Sequence, residues 1–453
     1  MTDIMEYASF KRLLECYSAD PLIKSQIDEG RFTTKDAEQM GLLISDIEGA
    51  TLAIKAIIYG IDTQLAASDM YYREYVRTNQ ITNKLINDSV DKKAYAEGTD
   101  LYEFGLLTSR RCGMEKEVIR LHPNIHYFPL CFELSEGCKV QCDFCGFEAG
   151  RFVSYFEYNE TNRTLWREIL AISREVVGDV ARTAPFYFAT EPLDNPDYIS
   201  FLKDGYEILG DIPQTTTALA EAFPERIREI MEFDRKISLE NSRYKAHLRF
   251  SIRNLKQLKK IHEIYSPMEL LDVELLANNP ESVNRYSASG RVMDKSSISQ
   301  NKKNEYSICC ISGIKVNMVT GTMEFIEPEV PCPEYPKGYR VRETLKFASA
   351  GEFKEKLSLL YDKYAVSKLP EDRSLEINKN VREITLDSKI AFVGDNTSIA
   401  FTQNYVLSEA LKMINTGRSI YDIISLMGLF GDSRTVLIRE LNRMFSGGYI
   451  RIK

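Results

Sequence analysis

Three cysteines on one short stretch carry the clearest chemical signal in this sequence. Cys138, Cys142 and Cys145 follow the spacing Cys-x3-Cys-x2-Cys, directly after an apolar run. Three thiolates on one loop can hold three irons of a four-iron four-sulfur ([4Fe-4S]) cluster, which leaves the fourth iron open to a small molecule. Structural zinc takes four ligands, usually in two separated pairs, and none of the four histidines forms such a pair. The spacing therefore predicts a cluster with one reactive iron.

The elements that must position this loop alternate between short strands and amphipathic helices. Between His126 and Met318, six apolar, β-rich runs are separated by helical segments, and this alternation is typical of parallel βα units. Six units predict an α/β fold built on an open, partial (β/α)6 barrel. Active sites in such barrels lie at the carboxyl ends of the strands. The cysteine loop follows the first predicted strand at that end.

The chain divides into four predicted units by its patterning. Apolar residues at helical spacing indicate helices at both ends of the chain, and we expect Ser419 and either Asp432 or Ser433 to be N-caps of the last helices. The units are a helical N-terminal region at 1–120, the partial barrel with its cysteine loop at 121–340, a connector with some helix at 341–402, and a winged-helix-like domain at 403–453.

Composition restricts the class of protein and its surroundings. The formal net charge of −8 over 453 residues argues against a nucleic acid as the main partner. The N-terminus lacks a basic, apolar export signal, and no stretch approaches the ~20 apolar residues of a membrane span. Nine cysteines are an odd number, which disfavours a disulfide framework. We predict a cytoplasmic protein with reduced thiols and no membrane partner.

The cysteine spacing and its placement resemble those of the radical S-adenosylmethionine superfamily. Phe144, an aromatic residue just before the third cysteine, belongs to the same pattern and is expected beside the cofactor. The resemblance implies that Cys138, Cys142 and Cys145 ligate a [4Fe-4S] cluster whose open iron is chelated by S-adenosyl-L-methionine. It also implies that one electron from the cluster splits this cofactor into methionine and a 5′-deoxyadenosyl radical.

Two further segments match positions that bind the cofactor in that superfamily. The second strand ends where members often have a Gly-Gly-Glu-Pro turn, whose carbonyls accept the cofactor's amino hydrogens; both glycines are replaced here. Alternating polar residues on the fourth strand are expected to reach the ribose and the methionine carboxylate, although they are equally typical of solvated strand positions. The expected contacts are Ala189, Thr190, Glu191, Arg249, Ser251 and Arg253.

Longer stretches narrow the resemblance within residues 110–345. The segments ELSEGCKVQCDFCGF, FATEPLDNPDY and CPEYPKGYRV look like those of radical peptide epimerases, the proteusin-type enzymes that convert L-residues to D-residues in ribosomally made peptides. The resemblance implies a precursor peptide with leader and core as substrate, and an external electron donor such as flavodoxin or ferredoxin. It also implies that a cysteine outside the cluster returns a hydrogen atom to the Cα radical.

Three cysteines are candidates for that hydrogen donor. Cys332 lies in a Pro-rich segment that we expect over the barrel mouth, where relatives also carry a cysteine, and we favour it. Cys310 is second, since only one of the adjacent Cys309 and Cys310 can face the interior of a strand. A small buried hydrophobe is the alternative role for each.

Two other functions remain open from the sequence. A radical enzyme that crosslinks peptides through carbon–carbon or thioether bonds would use the same cluster, but such enzymes usually carry more cysteines toward the C-terminus, and none follows Cys332. A DNA-binding iron–sulfur sensor would use the winged helix as its reader, which the acidic chain disfavours. We interpret the winged-helix-like end as a module that holds the leader as an added strand.

Overall fold

A computed structural model of the protein describes most of the chain as a mixed α/β fold with several small sheets. The described residues are 3–89, 128–241, 248–296, 298–300, 303–304, 307–366, 368–379, 381–386, 388–394 and 398–453. Cys112 and the rest of 90–120 therefore lie outside them. Within this part of the chain the strands do not close into a barrel, and no helix is both long enough and apolar enough to cross a membrane.

Helices alone make up the described part of the predicted N-terminal region. Asp3 caps the first of them by accepting a hydrogen bond from the amide of Met5. Their core includes Phe10, stacked on Tyr71 with ring centroids 4.9 Å apart. The helices are α1 (Ile4–Ala19), α2 (Pro21–Asp28), α3 (Thr34–Gln39), α4 (Ile47–Tyr59), α5 (Thr63–Ala66) and α6 (Met70–Ser89).

The region from residue 128 onward contains both strands and helices, but they do not alternate one by one as the sequence pattern predicts. In chain order they are β1 (Phe128–Glu133), β2 (Ser135–Glu136), β3 (Ser154–Tyr155), α7 (Glu160–Val177), α8 (Tyr198–Leu209), β4 (Thr215–Thr217), α9 (Pro224–Asn241), β5 (Leu248–Ile252), α10 (Leu255–Ile264), β6 (Glu274–Ala277), β7 (Tyr286–Ser287), β8 (Lys303–Asn304), β9 (Ile311–Asn317), β10 (Thr322–Pro328), β11 (Tyr339–Lys346) and α11 (Ala350–Tyr364).

The strands of this region form two main sheets. One is parallel with the order β4-β5-β6, and the other has the order β1-β9-β10-β11. The predicted sixth strand, β9, therefore pairs in parallel with β1 and not beyond β6. The predicted second strand, around residues 184–189, is not a regular strand, yet the Phe132 amide donates to the Pro185 carbonyl at 2.9 Å and holds it beside β1.

One face of these sheets is covered by helices and forms the largest core. Trp166 on α7 is fully buried and makes edge contacts with Phe132, Phe186 and Phe201. Alternate residues of β1 and β9 enter this core, whereas Cys131 and Glu133 of β1 point to the opposite, inner face. Period-2 alternation thus leaves polar and thiol groups on the face of the sheet opposite to the helices, which we call the inner face.

Phe201 tests how much this core contributes to stability. We expect Phe201→Ala to destabilise the fold by about 3–5 kcal/mol, because a fully buried ring is replaced by a cavity. Trp166 is the only tryptophan, and its ring centroid lies 5.6 Å from that of Phe201. The tryptophan fluorescence of the variant should therefore shift to the red, and the variant should unfold at a lower urea concentration than the native protein. Leu359→Ala, at a position that is 51% exposed, should leave both readings unchanged.

The C-terminal part contains more strand than the sequence predicts. Its elements are β12 (Leu375–Ile377), β13 (Arg382–Leu386), β14 (Lys389–Val393), β15 (Ser398–Thr402), α12 (Tyr405–Asn415), α13 (Ile420–Met427), α14 (Gly431–Ser446) and β16 (Ile450–Ile452). The antiparallel sheet β13-β14-β15 lies within the range predicted as a connector. It shares one core with the three helices, so the C-terminal unit begins before residue 403.

A buried network of charges joins this C-terminal unit to the elements from β1 to α11, which we call the barrel region. Arg451 on β16 contacts Glu329, just after β10, at 2.8 Å, and both side chains are 4% exposed. Arg340 on β11 contacts Glu327 and reaches Glu376 on β12. Arg342 donates to the Ile452 carbonyl at 2.6 Å. Breaking a buried pair of this kind leaves an uncompensated charge, so the network fixes how the two units are placed.

Candidate functional site

The cysteine loop is closed at its base by a short antiparallel pair. β2 and β3 pair through Ser135 with Tyr155 and Glu136 with Ser154. Just inside this pair, the Cys138 amide donates to the Gly150 carbonyl at 2.9 Å. The loop therefore leaves β1 and returns to the same place, with all three cysteines between its two ends.

Gln141 organises the interior of the loop. Its backbone has a positive φ of 49°, and its side-chain amide donates to the carbonyls of Cys138 and Gly150 at 2.7 and 2.8 Å. A non-glycine residue in this conformation costs free energy that the surroundings must offset. The hydrogen bonds supply that compensation and turn the loop around a central side chain.

The three thiols share a largely buried environment. Cys138 is 9% exposed, and Cys142 and Cys145 are partly exposed. Burial raises the pKa of Cys142 to about 12; the Arg253 guanidinium opposes the rise, and Cys138 and Cys145 add to it. Cys138 and Cys145 thus act electrostatically on Cys142. Burial also raises the pKa of Cys138.

A single metal ion and a four-iron cluster need different sets of donor side chains. Among the described residues, no three His, Cys, Asp or Glu side chains converge as ligands of a single metal ion. A four-iron cluster instead takes one thiolate for each iron. Three neighbouring thiols on one loop fit three irons by their chemistry, and cluster binding would displace their protons.

Residues 189–191 lie across from this loop and are tied down by buried carboxylates. The Ala189 amide donates to Glu133 at 2.9 Å, and Glu133 lies 4.0 Å from Lys315 on β9. Burial raises the pKa of Glu133, and Lys315 opposes the rise. Thr190 is partly exposed, and the structure gives it no hydrogen bond. The backbone of this segment is thus held from β1, without the glycines that the superfamily pattern has.

Glu191 has its carboxylate taken up by the protein itself. It accepts hydrogen bonds from the Thr217 hydroxyl at 2.6 Å, the Ala218 amide at 2.8 Å and the Leu193 amide at 3.1 Å. Burial raises the pKa of Glu191 to about 7 although all three donors favour its charged form. The Glu191 side chain therefore holds residues 189–191 against the end of β4 through hydrogen bonds.

The polar residues of the fourth predicted strand differ in how far they are engaged. Arg249 donates to Thr216 at 2.9 Å, and Ser251 accepts from Asn278 at 2.8 Å. Arg253, just past β5, donates from its terminal nitrogen to Glu221 at 3.2 Å. Its Nε is buried without a hydrogen-bond partner. Because Arg253 acts on the pKa of Cys142, it offers a cationic donor next to the cysteine loop.

Cys309 and Cys310 precede β9 and pack in the same inner apolar cluster, so they are not divided between two faces of a strand as predicted, and they differ in exposure. Cys309 is buried and donates to the Ile311 carbonyl at 3.2 Å. Cys310 is partly exposed and acts on the pKa of Tyr187 and of Arg249. It packs in the same inner cluster as Ala189. Cys310 therefore lies on the side of the site formed by residues 189–191.

Cys332 lies on a turn that is connected to the cysteine loop. Its carbonyl accepts the Tyr335 amide at 2.9 Å, and its thiol is partly exposed. On the same turn, the Pro336 carbonyl accepts the Gly290 amide at 2.6 Å, and the next residue, Arg291, donates its amide to Cys145 at 3.0 Å. The turn that carries Cys332 is thus linked to the cysteine loop through two adjacent residues, Gly290 and Arg291.

An open cavity of about 780 Å³ begins at the inner face of the barrel region and reaches the C-terminal unit. Lys315, Glu324 and Tyr339 line its inner part, and Tyr339 also contacts Phe147 and Phe188 on the inner face. Residues of β11, together with Glu376 and Lys453, line its outer part. The cavity is large enough for a short extended peptide segment.

Several residues of the site escape sequence reasoning. One of them is Tyr286, on which the predicted residue Phe144 stacks with ring centroids 5.7 Å apart. The others are Glu133, Gln141, Lys315 and Arg291, which hold the cysteine loop or the 189–191 segment. The charge of Glu133 inside an apolar strand was the one available signal, because a buried carboxylate requires partners.

Comparison with known proteins gives a relative without an assigned role. The chain is 33% identical over 283 residues to an uncharacterized protein, y4wI, of Sinorhizobium fredii (strain NBRC 101917 / NGR234). The match covers 60% of this chain and 53% of that protein, so the chain spans about half the length of the curated relative it matches. No protein-family model matches the chain, and no solved structure matches it.

Proposed function

We propose that the protein is a radical S-adenosylmethionine peptide epimerase that converts L-residues to D-residues in a ribosomally synthesised precursor peptide. One observation supports this most strongly. The Lys139 amide of the cysteine loop donates to Asp194 at 2.7 Å, three residues after Glu191. Glu191 and Arg253 both act on the pKa of Cys142, so two segments far apart in sequence lie beside the cysteine loop. Non-cluster thiols line the same region, which a purely electron-transferring iron–sulfur protein does not need.

The residues present fit the two cofactors. Cys138, Cys142 and Cys145 would hold a [4Fe-4S] cluster, and Phe144, residues 189–191, Arg249, Ser251 and Arg253 would contact S-adenosyl-L-methionine. When bound, these groups would supply a 5′-deoxyadenosyl radical that removes a backbone Cα hydrogen. The buried, unpartnered Nε of Arg253 is suited to an anionic group such as the methionine carboxylate.

The return of hydrogen is the step that this chain performs with its own side chain. The S–H bond of a cysteine breaks, its hydrogen atom joins the planar Cα from the opposite face, and a thiyl radical remains. One electron and one proton from an external reductant restore the thiol; flavodoxin or ferredoxin is the electron donor we propose for the enzyme. Such thiols stay reduced in the cytoplasm, where we place the protein.

Cys332 is our proposed hydrogen donor, and Cys310 is the second candidate. Cys310 packs against the same inner apolar cluster as Ala189, on the side where the cofactor would lie. Cys332 lies on a different turn, which approaches the cysteine loop through Gly290. Inversion needs a donor on the face opposite to hydrogen removal, and this favours the cysteine farther from residues 189–191.

The C-terminal unit would hold the leader of the precursor. β13 and β15 are the edge strands of its three-stranded sheet, and an edge offers unpaired backbone groups to an added strand. A groove of about 480 Å³ lies along α14, lined by residues that include Ile438, Arg439 and Arg443. Arg443 also stacks over Phe401 of β15 at 5.0 Å, so groove and edge strand are neighbours.

The test is an anaerobic reaction in deuterium oxide with reconstituted enzyme, S-adenosylmethionine, dithionite and a candidate precursor peptide. Epimerisation predicts deuterium at single Cα positions, and D-amino acids after hydrolysis. Loss of two hydrogens without deuterium uptake would instead indicate crosslinking. Absence of cofactor cleavage with every peptide, together with tight and salt-sensitive binding of duplex DNA, would support an iron–sulfur sensor and refute the radical enzyme.

Arg253 provides a prediction for cofactor affinity. We expect Arg253→Gln to weaken binding of S-adenosylmethionine by roughly 10- to 100-fold, because a hydrogen bond to a charged group contributes about 1.5–3 kcal/mol. Isothermal titration of the reconstituted, unreduced enzyme measures it directly. Arg228→Gln, which removes an exposed cation on α9, is the matched control. Equal affinity in the two variants would remove Arg253 from the cofactor site.

A further inference from the structure

The cysteine loop is held by a residue from a distant part of the chain. Arg291 lies in a short 3-10 turn, Gly290–Val292, 149 residues after Cys142. Its guanidinium donates to the Cys142 carbonyl at 2.8 Å, to the Gln141 side-chain oxygen at 2.6 Å and to the Ala149 carbonyl at 2.5 Å. Its own amide donates to the Cys145 carbonyl at 3.0 Å. One residue thus contacts the loop at four points.

Gly290 allows this approach. Its φ is +53°, and a Cβ at this position would lie 2.5 Å from the carbonyl oxygens of Cys145 and Gly146. Any side chain would therefore push the turn away from the loop. The Gly290 amide meanwhile donates to Pro336, on the turn that carries Cys332. The pair Gly290 and Arg291 lies between the two thiol-bearing segments and bonds to both.

We propose that Arg291 is a positioning residue that presets the conformation of the cysteine loop and, with Gly290, its separation from the Cys332 turn. The inference concerns the chain's own geometry and rests on the proposed function only for its purpose, which is to present three thiols to a cluster. Without the guanidinium, the carbonyls of Cys142 and Ala149 would each lose one donor, and the loop would sample other conformations.

Arginine is the residue type that this clamp requires. Its planar guanidinium has five N–H donors in a fixed fork, and here it reaches three acceptors on different parts of the loop. A lysine at the same position keeps the charge but concentrates its donors at one point. Lys295 shows the difference, since it touches the loop only at Asp143, at 3.5 Å, where the carboxylate is 90% exposed.

The experiment uses the full-length protein without iron, so that it does not depend on cluster loading. Native protein, Arg291→Lys, Arg291→Gln and the control Lys295→Gln are alkylated with iodoacetamide, and mass spectrometry gives the rate at each cysteine. We expect Cys142 and Cys145 to react at least about tenfold faster in both Arg291 variants, the change expected when one hydrogen bond to a charged group is lost. Glutathione added to each reaction provides the reference for reagent activity.

A second measurement links the clamp to the cluster. After reconstitution, the Arg291 variants should retain less iron per chain and show an altered electron paramagnetic resonance spectrum of the reduced cluster, whereas Lys295→Gln should match the native protein. Unchanged alkylation rates at Cys142 and Cys145 would overturn the inference. If native protein binds no cluster, the proposed function fails, but the alkylation rates still decide the role of Arg291. Circular dichroism excludes global unfolding as the cause.

Discussion

A Cys142→Ala variant is expected to lose its iron–sulfur cluster and all cleavage of S-adenosylmethionine while keeping its fold. Three thiolates are the only protein ligands proposed for the cluster, so removing one leaves two irons without protein ligands. We expect iron after reconstitution to fall below about a tenth of the native content, by analogy with other cysteine-ligated clusters. Iron and sulfide assays, together with the visible absorbance, measure this change. Cys138→Ala and Cys145→Ala should behave alike.

Cys16→Ser is the matched control for that experiment. Cys16 is buried in α1, and its sulfur lies 3.7 Å from His262 Nδ1, remote in sequence from the loop. Its replacement should leave iron content and cofactor cleavage unchanged. A Cys142→Ala protein that still binds a full cluster would show that other residues supply the ligands, and the assignment of the loop would then be incorrect.

Cys332→Ser is expected to separate the two halves of the proposed reaction. The variant should still bind the cluster and cleave S-adenosylmethionine, because Cys332 is not a cluster ligand. Deuterium uptake from deuterium oxide and formation of D-residues should fall by at least about 100-fold, since a hydroxyl O–H bond is much stronger than a thiol S–H bond and general losses of a key catalytic group are of this size. Mass spectrometry of the intact peptide measures the deuterium uptake, and chiral analysis of the amino acids after complete hydrolysis measures the D-residues.

Cys310→Ser is the comparison that gives this experiment its meaning. Cys310 is a partly exposed thiol that packs against the same inner apolar cluster as Ala189 and acts on the pKa of Tyr187. It should retain most deuterium uptake if Cys332 is the donor. The reverse pattern, with uptake lost only in Cys310→Ser, would assign the donor to Cys310. Uptake lost in neither variant would exclude both cysteines.

Local patterns predicted the elements that carry the site. The alternation of apolar and polar residues along β5 placed Arg249 and Ser251 on one face, where the structure has both beside inward-facing polar groups. Ser419 caps α13 through a capping box, as its sequence position indicates. Such features depend on a few neighbouring residues, and these are the part of a fold that a sequence encodes most directly.

Pairing between strands that are far apart in sequence could not be predicted from local patterns. The neighbouring position of β1 and β9 depends on strand pairing across most of the barrel region, and nothing in the local pattern of either strand specifies its partner. Arg291 likewise reads as an ordinary exposed cation in sequence. Its role appears only once the chain brings residue 291 back to the cysteine loop.

The sheet of the C-terminal unit was missed although its signal was present. Ile390 and Phe392 alternate with other residues on β14, and Phe401 lies at a matching position on β15. These strands are only five residues long, and the turns between them contain polar residues typical of a connector. α14 also begins at Gly431 with Phe430 as its N-cap, so neither Asp432 nor Ser433 caps it.

The buried charges between Arg451, Glu329, Arg340 and Glu376 have a consequence for substrate choice. They lock the C-terminal unit against the barrel region, so a leader bound there, as we propose, would lie at a fixed distance from the cysteines. The peptide between leader and target must then span that distance by itself. Lengthening or shortening this spacer would move the modified residue along the substrate by the same number of positions, and the enzyme would act as a ruler that measures from the leader.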